Sequence, residues 1–298
     1  MRKRKSVAET ISETLIVSLM LLYCISLLVP LVWMVYTSFK TEFEYTVNAF
    51  AFPRDIFGVG FSNYRSMFEL FVMKEMRGGE EYVYYFTDMM GFSLIWAFSV
   101  SFVSVFLTTI VAYVIAKYKF FGRDFLYALG IFVMITPVVG NFPSAMEVRK
   151  ALGVYNNMFL SIITSPSCSF SGLHFMLMHA AFKRIPWTYS EAAFLDGASD
   201  YRVMFQIVVP MALPTCAVLY VLNFLSSWND YSTFLIWLPS YPTLAYGMYY
   251  FQSQSQIYGA IMPEIMAGFT LVAIPNIILY LFSQKLIMSK FTIGGLKG

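Results

Sequence analysis

Apolar residues in this chain gather in long unbroken runs, without the short alternation that marks half-buried strands and helices. The runs at 15–36, 89–116, 125–146, 211–229 and 265–284 contain no Asp, Glu, Lys or Arg. About 20 apolar residues carry a helix across the roughly 30 Å hydrocarbon core of a bilayer, and each run is long enough. A further run at 158–182 is interrupted by Ser165, Pro166, Ser167, Cys168, Ser169, Ser171 and Gly172. It predicts a broken helix, which is tolerated at membrane depth where protein or a water-filled cavity satisfies the freed backbone. The pattern therefore predicts an all-α integral membrane protein with six transmembrane helices. Residues 1–14 form a first tail, 15–287 the membrane domain and 288–298 a second tail. Long polar connections fall at 37–88 and 183–210.

Composition points the same way, with 58% hydrophobic and 12% charged residues, against about 25% charged in soluble domains. The basic start, Arg2 to Lys5, followed by an apolar run, imitates a secretory signal. Such a signal has an apolar core of about 7–15 residues, so 15–36 is read as the first span instead. Most of the 20 Lys and Arg residues fall on the side of the N-terminus, in short segments near span ends. The opposite side carries Lys40, Arg54, Arg65, Lys74, Arg77, Arg149 and Lys150, spread over longer loops. The positive-inside rule then predicts both termini in the cytoplasm. The first outer loop is acidic, and reads either as a solvated loop or as a docking face for an extracellular partner.

The spans exclude several functions. Ion-coupled carriers and proton pumps keep ionisable partners inside their helices, whereas Asp230 and Glu264 stand only at span ends. An ion-coupled secondary carrier is therefore the weaker alternative, and energy is expected to come from outside the membrane. The chain has no GxxxxGK[ST] phosphate loop and no HExxH or GxSxG signature, so neither a nucleotide motor nor an enzyme is expected here. Cys24, Cys168 and Cys216 lie in apolar segments and read as small core residues. His174 and His179 point to different helix faces, miss metal-ligand spacing and read as packing residues. Ser93, Ala97, Ser101, Ser104, Thr108 and Ala112 form a stripe of small residues. It lets a second helix approach closely, from the same chain or from another subunit.

The connection at 183–210 has the most legible chemistry. Thr188 and Glu191 have capping-box spacing behind Pro186, and Gly197 can take the left-handed conformation that ends a short helix. So short a helix is marginal on propensity alone and must pack against something. Ala192 and Ala193 keep one surface low, while Glu191 and Asp196 frame it with charge. Ser199 can cap a second helix through Phe205 and Ile207, with Pro210 and Pro214 marking the start of the next span.

In Glu191, Ala192, Ala193, Gly197, Ile207 and Pro210 this segment resembles the EAA signature of ABC importer permeases, with Val209 where Leu is usual. Ser227, Trp228, Asn229, Asp230 and Tyr231 resemble the Trp-Asn-Asp-aromatic segment of the carbohydrate-importing branch. With Asp196, Gly197, Ala198 and the glycine-rich tail at 294–298, they are similar to the smaller permease subunit of the maltose-type family. The likeness is poorer at 71–88, which looks like an enlargement of the outer loop, and at 91–94. The resemblance implies a type I importer fold, a bacterial or archaeal plasma membrane and a carbohydrate substrate, in the first place an oligosaccharide. It implies a second permease, two ATPase subunits and an extracytoplasmic solute-binding protein, with ATP and Mg held by the ATPase and no nucleic acid among the partners. Glu191 and Asp196 would touch the ATPase, with Ala192, Ala193 and Ala198 in the same coupling element. Gly197 would permit the turn, and Ile207 and Pro210 would anchor the loop. Trp228, Asn229 and Asp230 are candidates for the translocation path, an interfacial aromatic belt being the other reading of Trp228. A permease for another small solute is the closest alternative, and a membrane scaffold a more distant one.

Overall fold

The computed structural model describes residues 7–56, 60–136, 142–164 and 172–291. In chain order the first elements are α1 (Val7–Thr37), α2 (Glu42–Val47), α3 (Gly60–Leu70) and a hairpin of β1 (Met73–Arg77) and β2 (Glu80–Tyr84). Next come α4 (Phe86–Lys117), α5 (Arg123–Ile135), α6 (Phe142–Ala151), α7 (Met158–Thr164) and α8 (Gly172–Arg184). The expected polar connection carries α9 (Thr188–Leu195) and α10 (Asp200–Arg202), then a π-helical turn (Val203–Val208) and α11 (Val209–Trp228). The chain ends with α12 (Ser232–Ile236), α13 (Leu244–Ser253), α14 (Ser255–Tyr258) and α15 (Met262–Phe291).

Among the described residues, 4 helical stretches are long and apolar enough to span alone: Thr10–Thr37, Phe86–Lys117, Asp200–Trp228 and Met262–Gln284. The other two expected spans are not single helices. The run at 125–146 gives α5, which stops at Ile135 with Thr136 as its C-cap, and α6, which carries Glu147, Arg149 and Lys150. At 1.5 Å per residue, the 13 residues of α5 reach only about 20 Å. The run at 158–182 gives α7 and α8; the expected break, residues 165–171, lies outside the described residues, as do the basic start at 2–5 and the glycine-rich tail.

The connection at 37–88 is not helical throughout, which corrects the all-α expectation. Gly78 and Gly79 have φ of 62° and 92°, the left-handed values that a two-residue hairpin turn demands. They pair Arg77 with Glu80 and continue to Met73 with Tyr84.

The chain divides into two compact units, 1–72 with 250–274, and 73–249 with 275–298. In the first, the connection after α1 folds into a small polar knot. Lys40 is wholly buried; its Nζ donates to the Ala49 carbonyl at 2.7 Å and sits 4.9 Å from the Tyr36 ring. Burial pulls this ammonium below the ordinary lysine range, against the pull of Glu44. Asn63 donates to the carbonyls of Ser38 and Lys40 at 2.8 and 2.7 Å, and Thr41 with Glu44 forms a reciprocal cap on α2. The faces of α1 are open along its apolar stretch. Cys24 is therefore exposed, not a core residue as its apolar setting suggests.

In the second unit α4 is the central helix, packed against α8 and α11. Its small-residue stripe makes this possible: Ser93, Ala97, Ser101, Thr108 and Ala112 are all buried. The neighbours are thus in the same chain. Ser93 Oγ also accepts the Leu244 amide at 2.8 Å, tying α13 to α4. The core continues through Tyr113, Phe175, Met178, Phe182, Val203, Val208, Cys216 and Leu219, and it includes Ala193 of α9.

Candidate functional site: the α9 loop and its anchorage

The α9 loop is built on the buried end of α4, α8 and α11. Pro186 is followed by Trp187, whose backbone is already right-handed helical (φ −66°, ψ −22°) and which acts as N-cap with no side-chain hydrogen bond. Its carbonyl accepts from Ser190 and Glu191 at 2.9 and 3.1 Å. Thr188 is therefore inside the first turn, and the expected Thr188–Glu191 capping box does not form. A side chain caps best from the N-cap position with extended backbone, and helix begins one residue too early for Thr188 to stand there.

At the other end Gly197 has φ of 79°. Its amide donates to the Phe194 carbonyl at 3.0 Å, and the Ala198 amide reaches back to Ala193 at 2.9 Å. This is a Schellman ending, with glycine in the left-handed position as expected. Ser199 stands at the N-cap position of α10 with extended backbone, again without a side-chain bond.

Two faces result. Ser190 and Ala193 are buried, and Phe194, Ala198 and Ile207 pack partly against the core. Glu191, Ala192, Leu195, Asp196 and Gly197 face outward. The low surface expected of both alanines is thus split: Ala193 is the foot of the helix and Ala192 is on its open side. Leu195 is 89% exposed. The Glu191 carboxylate has no hydrogen-bond partner among the described residues.

Both ends of the loop are held by the end of α4. Tyr118 donates its hydroxyl to Asp200 Oδ1 at 2.7 Å, and its ring meets Trp187 edge-on at 5.9 Å and Tyr113 at 5.7 Å. Lys117 Nζ donates to the Ile185 carbonyl. Burial, and then the hydrogen bond to Asp200, push the Tyr118 phenol far above the ordinary tyrosine range. Sequence reasoning missed Tyr118, which follows the span without any motif; only a covarying partner at Asp200 could have exposed it.

From Asp200 the helical backbone runs through the π turn into α11, which begins at Val209 with Pro210 in its first turn, where the sequence expects the span to open. Pro210 has no N–H for the Gln206 carbonyl, and the Val209 amide bonds Met204 instead. The wider π turn carries the helix past the proline, a common response to a missing donor.

At the far end of α11 the three candidate path residues separate. Trp228 is 1% exposed and stacks on Phe224 at 5.7 Å, so its ring is packed against this chain's own core. Asn229 is exposed; its Oδ1 accepts from Asn276 Nδ2 at 2.9 Å. Asp230 Oδ1 accepts from the Ser232 hydroxyl and the Thr233 amide at 2.8 and 3.0 Å, capping α12. Deeper in the same helix Asn223 Nδ2 lies 3.2 Å from His174 Nδ1. His174 thus has a polar partner beyond simple packing, whereas buried His179 lies against Tyr127 and Phe175 as a packing residue. Asn223 carries no charge, and a search for ionisable residues within spans passes over it.

The chain is 32% identical over 223 residues to the inner membrane ABC transporter permease protein YcjP of Escherichia coli (strain K12), covering 72% of this chain and 76% of that one. It is 28% identical to the galactooligosaccharides transport system permease protein GanQ of Bacillus subtilis (strain 168), covering 76% and 79%. It is 26% identical to the arabinooligosaccharides transport system permease protein AraQ of the same organism, with 80% of each chain covered. A chain in the crystal structure of a bacterial ABC transporter involved in the import of the acidic polysaccharide alginate superposes with a TM-score of 0.75 at 22% identity, covering 95% of this chain and 98% of that one. The family described as the binding-protein-dependent transport system inner membrane component matches residues 2–293, and this chain belongs to that family of ABC importer permeases, a transport component and not an enzyme.

Proposed function

We propose that this chain is the smaller permease subunit of a carbohydrate importer, lining half of the path for an oligosaccharide. In this reading it crosses a prokaryotic plasma membrane six times with both termini in the cytoplasm, the two missing crossings being made by α5 with the residues after it and by α7 with α8. It works beside a second permease, two ATPase subunits and an extracytoplasmic binding protein; ATP and Mg stay on the ATPase. The relatives named for galactooligosaccharides and arabinooligosaccharides support the substrate class.

The observation that carries the reading is the two-faced α9. A helix of 8 residues cannot hold itself in water, and here Ala193 fixes it to the core while Glu191, Ala192 and an almost bare Leu195 are left outside. Such a surface fits a cleft in the ATPase. Asp196 and Ala198 shape its end, Gly197 turns the chain, and Ile207 and Pro210 join it to the α11 rod. On the translocation side Asn229 and Asp230 remain the candidates, joined by Asn223, His174 and Asn276, because neutral amide and imidazole groups can exchange hydrogen bonds with sugar hydroxyls.

The test is ATPase activity of the assembled importer, with its binding protein and a panel of saccharides, for wild type and Glu191→Ala. Stimulation by a saccharide that disappears in the variant, with assembly intact, is the expected result. Full stimulation in the variant refutes the role of α9, and stimulation only by non-carbohydrate solutes refutes the substrate class.

A further inference from the structure

Beside the α9 loop lies a pocket of about 630 Å³ that transport does not explain. Lys117, Lys119, Arg123 and Lys183 line it, with Trp187 as an aromatic wall. Its electrostatics are lopsided. Arg123 is paired with Asp124 at 2.7 Å, and Asp200 nearby already accepts from Tyr118. Lys117 spends one of its donors on the Ile185 carbonyl and keeps two. Lys119 and Lys183 are exposed, and no carboxylate among the described residues pairs with either. Four cations converge on one concavity against two acids, Asp124 and Asp200, and the excess positive charge is self-repelling unless an anion sits there.

The depth of the pocket says which anion. Lys117 is the last residue of the α4 span, so the pocket opens where hydrocarbon gives way to headgroups. Between Lys119 and Arg123 the chain puts out Phe120 and Phe121, the second fully exposed, and Phe125 is 69% exposed just beyond. In water three bare phenylalanines next to a basic pocket would be costly; in a bilayer they enter the acyl layer while the cations reach the phosphate plane.

We propose that this pocket binds a phosphate group at headgroup depth, supplied by an anionic phospholipid. Lys119 and Lys183 form its charge pair, Arg123 and Lys117 supply further donors, and the Trp187 ring closes one side. The proposal goes beyond the transport reading, and its readout is lipid retention, which does not depend on which solute is carried.

The full-length chain, extracted with whatever subunits accompany it, is placed in nanodiscs of phosphatidylcholine with graded phosphatidylglycerol, and bound lipid is counted by native mass spectrometry. Wild type is expected to retain phosphatidylglycerol over phosphatidylcholine. Each of Lys119→Gln and Lys183→Gln should weaken retention about fivefold, the Arg substitutions should restore it, and Lys150→Gln, far along the chain, should leave it unchanged. Equal retention of the two lipids, or a double Gln variant as selective as wild type, overturns the proposal. A third arm adds inorganic phosphate at millimolar concentration to pure phosphatidylcholine discs. Thermal stabilisation there, with displacement of phosphatidylglycerol in mixed discs, assigns the pocket to a soluble anion and overturns the lipid source.

Discussion

Tyr118 and Asp200, 82 positions apart in sequence, are joined by a 2.7 Å hydrogen bond across the base of the α9 loop. The same Tyr118 ring touches Trp187, so one side chain at the end of α4 clasps the loop before and after its helix. Tyr118→Phe keeps the ring and removes the bond. The bond is exposed, and its loss is expected to cost about 0.5–1.5 kcal/mol. If α9 transmits force, solute-stimulated ATPase activity should fall severalfold while basal activity and assembly persist. Tyr118→Ala should do more, because the edge contact to Trp187 goes too.

The clasp also gives a pH expectation. With its phenol raised by burial and by Asp200, Tyr118 holds its proton more tightly folded than unfolded. Its contribution is therefore fully present below the ordinary tyrosine value of about 10 and is lost only as pH rises through the higher folded value. Ultraviolet titration should show the same ordinary alkaline transition in wild type and Tyr118→Phe, because the clasped phenol does not ionise there. Should Tyr118 ionise near 10, the clasp is not formed.

Gly197 allows a sharper substitution series than the sequence suggests. A Cβ built there meets nothing within 4 Å, so the penalty is set by the positive φ and not by size. Ala should cost about 1–2 kcal/mol, Asn less, and β-branched Val more than Ala. Thermal stability in detergent ranks them on the isolated chain. If Val uncouples the assembled importer beyond what its own loss of thermal stability accounts for, the extra loss belongs to the partner surface.

Trp228 and Asn229 are neighbours with opposite expectations. Trp228→Ala empties a buried, stacked site and should destabilise by about 3–5 kcal/mol, so lost uptake in that variant would report folding. Asn229→Ala leaves the core intact and should affect uptake more than melting temperature. Comparing the two by fluorescence-detected size exclusion during heating separates packing from passage.

The sequence was most readable where one residue type alone can satisfy a local need. Gly197 had to be left-handed, and the small stripe on α4 had to face a close neighbour. It was less readable where spacing is satisfied by chance. Thr188 and Glu191 fit a capping pattern, yet Trp187 enters the helix first and takes the position. The hairpin was there to be found in Gly78 and Gly79 between Arg77 and Glu80, but an acidic loop read as loop hides five-residue strands. The π turn leaves no mark on composition, since nothing at Val203–Val208 breaks a helix and the cause, Pro210, lies outside it. The lack of charge at 125–146 likewise drew attention away from Pro137, which disfavours helix at Thr136 and so accounts for the stop at Ile135: an uncharged run records the solvent and not the continuity of the backbone.

One feature of the bundle has mechanical weight. From Asp200 to Trp228 the chain is helical for 29 residues, about 43 Å of nearly inextensible lever with a single compliant joint at the π turn. A tilt of about 10° at the Asp200 end would sweep the Trp228 end through about 7 Å, roughly the width of a sugar ring, so a small push delivered at Tyr118 and Asp200 is geometrically enough to move Asn229 by a substrate's breadth.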